Sequence, residues 1–186
     1  MESQPVTAPD AALSDATVSF EKANLIALLF LPLAALPVLL HLLLWGAASL
    51  AAGVDFLFPW LFVPLLVASI VVHEALHALG FVAVGGAPRG AIHFGVDRRT
   101  LSPFAGCTAP LRARAYRGAV LLPSLVLGVA PVVAGLVTGS GWPTLWGALM
   151  LFCAGGDFAA LWAMRAVPGD ARVLDHPERV GCRVVG

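Results

Sequence analysis

The sequence predicts an all-α membrane protein: four transmembrane helices, with a short β-hairpin or re-entrant loop between helices two and three. Composition is the first sign, since 59% of the 186 residues are hydrophobic and only 12% are charged. Charge placement is the second. Between Ala23 and Val84 only Asp55 and Glu74 are charged, and between Gly118 and Met164 only Asp157. Each stretch exceeds the roughly 20 apolar residues that span a bilayer. The third sign is the break between them, an Arg- and Gly-rich segment holding the strand-like run Ala91-Ile92-His93-Phe94-Gly95-Val96. Eleven acidic residues balance eleven basic ones, so net charge implies no nucleic-acid partner. The three cysteines form no Cys-x-x-Cys pair, which indicates neither a disulfide framework nor a thiolate zinc ribbon.

Taken in order, residues 1–22 are polar, lack the basic start and cleavage signal of a secretory leader, and read as a disordered cytoplasmic tail. The transmembrane domain is expected over 23–165, its core at about 56–164. Span one covers Ala23 to Gly53, with kinks at Pro32 and Pro37 because each proline removes a backbone donor. Span two runs from Phe56 to Val84, with Asp55 as N-cap and Gly85-Gly86 plus Pro88 as its stop. Spans three and four fit Tyr116 to Val137 and Trp142 to Met164, joined by the turn Thr138-Gly139-Ser140-Gly141. Residues 166–186 read as a polar cytoplasmic tail. Arginines gather between spans two and three and after span four, so the positive-inside rule places both termini and the basic loop in the cytoplasm of a multi-pass cell-membrane protein.

Within span two stands His73-Glu74-Ala75-Leu76-His77. On a helix, spacing i, i+4 puts both imidazoles on one face, where they can share a Zn2+ ion, and Glu74 can serve as general base. Interhelical glue is a poor reason for such residues, because a charge at mid-bilayer costs about 2.5–3.5 kcal/mol on the most forgiving scale. Depth selects the third ligand. Asp157 and His77 each lie seven residues from the cytoplasmic end of their span, about 10 Å deep. Two histidines and a carboxylate leave one tetrahedral position open, as a catalytic zinc site requires. His41 lies toward the other leaflet and reads as a packing or interhelical hydrogen-bonding residue. Cys153 reads as a small hydrophobe. His176 reads as a surface residue, and His93, with Phe94 and Gly95, is the candidate substrate contact in the hairpin.

These residues resemble those of the site-2-protease-like intramembrane zinc metalloproteases, and more narrowly the small proteins labelled putative zincin peptidases. The resemblance rests on His73-Glu74-x-x-His77-Ala-Leu-Gly, Ser102-Pro103, Cys107, Leu121-Leu122-Pro123, Gly155-Gly156-Asp157 and Asp175-His176-Pro177, covering roughly residues 70 to 180. It implies a three-helix core in spans two to four, span one being an addition, and a metalloendopeptidase acting on peptide bonds in or near transmembrane segments. Zinc would be held by His73, His77 and Asp157, with Glu74 as base. The usual Leu-Asp-Gly context of the aspartate is replaced by Gly156-Asp157-Phe158. The expected partners are a membrane-embedded protein or peptide substrate and the lipid bilayer. The alternative is a non-enzymatic metal-binding membrane protein, such as a transporter or a sensor subunit.

Overall fold

A computed structural model describes residues 12–58, 60–96, 102–176 and 179–186. It is mainly helical, with two small antiparallel sheets. Among the described residues, three helical stretches are long and apolar enough to cross a membrane: Phe20–Trp45, Phe62–Ala83 and Ala113–Thr138. A fourth candidate is a pair of helices, Gly141–Cys153 and Gly155–Ala163, bent by 44° at their junction.

The first stretch is α1 (Phe20–Leu29) and α2 (Leu31–Trp45). Ser19 caps α1 by accepting from the Lys22 amide at 3.4 Å. The chain breaks at Phe30, just ahead of Pro32, whereas Pro37 stays inside α2. Helix α3 (Ala47–Leu57) is separate, so what reads as one span to Gly53 ends at Trp45. Asp55 belongs to the body of α3 and caps nothing, and span two starts at Phe62, not Phe56, as α4 (Phe62–Ala83). The long Leu-rich run through 31–57 hides these breaks, because every part of it is apolar enough for lipid. Buried His41 does tie helices together. Its Nδ1 lies 2.8 Å from Thr144 Oγ1 and its Nε2 lies 3.0 Å from Ser49 Oγ. The Ser49 hydroxyl donates to Gly139 O at 2.6 Å, so it must accept from His41 Nε2–H, which fixes the tautomer.

After α4 the chain forms β2 (Ile92–Val96) and β3 (Pro103–Cys107), an antiparallel pair with His93 opposite Gly106 and Phe94 opposite Ala105. A short β4 (Leu111–Arg112) leads into α5 (Ala113–Pro123), a π-helical segment over Ser124–Val129, and α6 (Ala130–Thr138). Helices α7 (Gly141–Cys153) and α8 (Gly155–Ala163) replace the straight span expected over Trp142–Met164.

Neither tail is the loose segment its composition suggests. Residues 12–18, expected to be disordered, form β1 (Ala12–Val18), while residues 1–11 fall outside the described chain. The C-terminal tail supplies β5 (Arg172–Asp175) and β6 (Val180–Val185). They join in a sheet ordered β1-β6-β5-β4, every pair antiparallel. The fold is thus not all-α. The core face of this sheet, with Val173 and Cys182 fully buried, packs on Phe81, Tyr116 and Met164. Arg117 on α5 donates to the carbonyls of Met164 at 2.7 Å and Val167 at 2.6 Å, closing the end of α8. A hydrogen bond from a charged donor contributes about 1.5–3 kcal/mol. Arg117→Met should therefore lower stability by about 2 kcal/mol, read as a reduced midpoint of thermal unfolding in detergent.

Candidate metal centre

The site is built where α4, α5, α8 and β3 meet. His73 and His77 are one turn apart on α4, and their Nε2 atoms lie 3.2 Å from each other. Asp157, at the start of α8, reaches both, with Oδ2 3.1 Å from His73 Nε2 and Oδ1 3.3 Å from His77 Nε2. One donor atom from each residue falls within 4.8 Å of the others, so the three could hold a metal ion. Asp157 Oδ2 is buried without a hydrogen bond of good geometry. An orphaned oxygen beside His73, on a carboxylate whose other oxygen faces His77, fits a cation better than a proton shared among three groups.

Local sequence explains why His77 points this way. Its Nδ1 is 3.2 Å from the carbonyl of Ala119, which can only accept. The ring is thereby protonated on Nδ1 and offers a lone pair at Nε2, the tautomer a metal ligand needs. Ala119 O is open because the residue four positions on is Pro123, which has no N–H to fill it. The approach is possible because residue 80 is glycine. A Cβ there would stand 2.6 Å from Ala119 Cα, so α4 and α5 touch backbone to backbone at this level.

Glu74 neighbours both histidines, and its Oε2 accepts from the Ala105 amide of β3 at 2.7 Å. Two residues along, the Cys107 amide donates to Asp175 Oδ2 at 3.3 Å. In an antiparallel pair, alternate residues turn their N–H and C=O groups away from the partner strand. These two bonds therefore define the free edge of β3, and it faces the metal centre. Asp175 also accepts from the Tyr116 hydroxyl at 2.5 Å. Burial pushes the Asp175 carboxyl above its ordinary range, against the lowering pull of those hydrogen bonds. The thiol of Cys182, opposite Asp175 in the sheet, is pushed up to about 11, first by burial and then by that carboxylate.

A cavity of about 1010 Å³ opens from the three donors and is walled by β3, the start of α1 and the C-terminal sheet. His93 lines it, its ring over Gly106. Phe94 and Gly95 are not among its walls. Phe94 is exposed, and Gly95 is covered by the Phe104 ring. Strand β2, which holds most of the strand-like run Ala91 to Val96, is set back from the site because its partner β3 carries the amide that meets Glu74. His176 also lines the cavity instead of a remote surface. Cys153 is exposed and lies outside the three-donor group. Ala105, Ala119 and Tyr116 escaped the sequence reading as site residues, and Asp175 entered it only as part of the family resemblance, with no role. Pro123 inside a span was the one signal that could have found Ala119.

Residues 66–172 match the sequence family described as "putative zincin peptidase", and the chain belongs to that family. Neither the curated proteins nor the solved structures give a match. Membership implies a zinc metallopeptidase, and the His73, His77 and Asp157 group agrees with a zinc-binding chain.

Two measurements bear on this geometry. Elemental analysis should find about one zinc per purified chain and almost none in Asp157→Ala, while Gly80→Val, which separates α4 from α5, should weaken zinc affinity about 10- to 100-fold with all three ligands intact. The second concerns Asp175. The fold raises its pKa, so it favours the protonated form, and this group's contribution is full below the unfolded value of about 3.9. It is lost as pH rises through the folded value. Unfolding midpoints of wild type and Asp175→Asn, compared between about pH 4 and 8, should shift in favour of the variant as pH rises.

Proposed function

We propose that this protein is an intramembrane zinc metalloendopeptidase of the HExxH type, cleaving peptide bonds in or near transmembrane segments. The observation that carries the proposal is the meeting of His73, His77 and Asp157 beside Glu74 within helices apolar enough for a bilayer. The bent pair α7 and α8 serves as a fourth span. Arginine placement puts the termini, the basic loop and the cavity mouth on the cytoplasmic side. Cleavage then falls in the cytoplasmic third of the membrane or next to it.

Bound by these three side chains, zinc would bring the pKa of a coordinated water toward about 7 and polarise a peptide carbonyl. The chain's own residues do the rest. Glu74 is held at Oε2 by the Ala105 amide, which leaves Oε1 to take the proton of the attacking water and hand it to the leaving nitrogen. Ala119, through Nδ1 of His77, holds one imidazole in its ligating tautomer. A peptide must be extended for its backbone to reach the site, and the free edge of β3 can take it as an added strand. His93 on β2 lines the same cavity, its ring over Gly106, where a substrate side chain can meet it.

Glu74→Gln should keep zinc and lose cleavage of model transmembrane peptides in proteoliposomes, by about 10²–10⁴-fold, with products read by mass spectrometry. Undiminished cleavage with full zinc removes Glu74 as base, whereas no cleavage by zinc-loaded wild type returns the chain to the class of non-enzymatic metal-binding membrane proteins.

A further inference from the structure

Helix α1 lies outside the matched region, yet it forms one wall of the cavity. It is apolar apart from its first turn and one carboxamide, Asn24. Among the described residues the Asn24 side chain makes no hydrogen bond. It lines the large cavity and also a smaller groove of about 340 Å³ that runs between α1 and the junction of α7 and α8. In hydrocarbon an amide without a partner is costly, and asparagine is kept there when it has something to bind.

Its level relative to the metal centre follows from the packing. His41 meets Thr144, and Ala27, earlier in the chain, meets Gly155, later in it, so α1 and α2 run antiparallel to α7 and α8. A Cβ on Gly155 would stand 2.7 Å from Ala27 Cβ, which fixes these two residues at one height. From there Asn24 is three residues back and Asp157 two residues on, about 4.5 Å and 3 Å toward the same membrane face. Asn24 therefore sits within one helical turn of Asp157 in depth, lining the same cavity as β3.

We propose that Asn24 is a substrate-binding residue whose carboxamide donates to and accepts from the main chain of an extended peptide crossing the metal centre. One carboxamide can satisfy a peptide N–H and C=O together, and the substrate backbone, unwound in a medium without water, needs both. In this arrangement β3 holds one edge of the peptide and Asn24 the other. The inference rests on the peptidase reading.

Two zinc-directed probes separate backbone binding from metal binding: acetohydroxamate, which carries no peptide arm, and dileucyl hydroxamate, which carries one. Their equilibrium affinities for the zinc-loaded full chain in detergent can be measured by calorimetry. Asn24→Leu should weaken dileucyl hydroxamate about tenfold, leave acetohydroxamate and zinc content unchanged, and be largely rescued by Asn24→Gln. Equal affinity of wild type and Asn24→Leu for the dileucyl compound overturns the inference alone, as does a loss that falls equally on both probes. If wild type binds acetohydroxamate but gains nothing from the dileucyl arm, the peptidase reading falls with it.

Discussion

A protein interior offers little water to a polar group, so an ionisable side chain carried into it must be met by another group of the protein or by a ligand. The centre of this molecule obeys that constraint through a chain of partners. His77 gives its Nδ1 proton to Ala119, its Nε2 faces His73 and Asp157, and Glu74 takes the Ala105 amide. Each partner comes from a different element, so the constraint also assembles the fold. Helix α5 must lie against α4, α8 must present its first turn to both histidines, and β3 must reach over Glu74.

The clasp between His77 and Ala119 shows how little sequence such an arrangement needs. Gly80 removes the side chain that would keep two backbones apart, and Pro123 removes the donor that would occupy the carbonyl. Neither residue is polar or carries chemistry. Each matters for what it lacks, so although both stand in the motifs that carry the family resemblance, neither reveals the clasp through its own side chain. Arg117 works in the opposite manner, since its guanidinium positively fills the open carbonyls at the end of α8. Its place among the topology-setting arginines hid that role.

The chemistry of the site was far more legible than its housing. The histidine pair shows because helical geometry converts spacing into a shared face, and Asp157 shows because rise per residue converts sequence position into depth. Both inferences are local or one-dimensional. The C-terminal sheet is neither, as β1 and β6 lie more than 160 residues apart and pair through backbone groups that almost any residue supplies. The polar tails that hold Ala12–Val18 and Val180–Val185 looked like solvated segments, where they supply two strands of one sheet. The breaks at Phe30, Gly46 and Ala154 were hidden for a related reason. A uniformly apolar run satisfies the bilayer whether it is one helix or two.

The orientation of the hairpin is the finding that most changes the picture of substrate entry. The strand-like run Ala91 to Val96 drew attention to the residues of β2, yet the edge beside the metal centre belongs to β3, where the outward amides of Ala105 and Cys107 are both held by carboxylates. Those two carboxylates occupy the donors that an added strand would use, so under the proposed function a peptide seated on this edge would compete with Glu74 for the Ala105 amide and with Asp175 for the Cys107 amide.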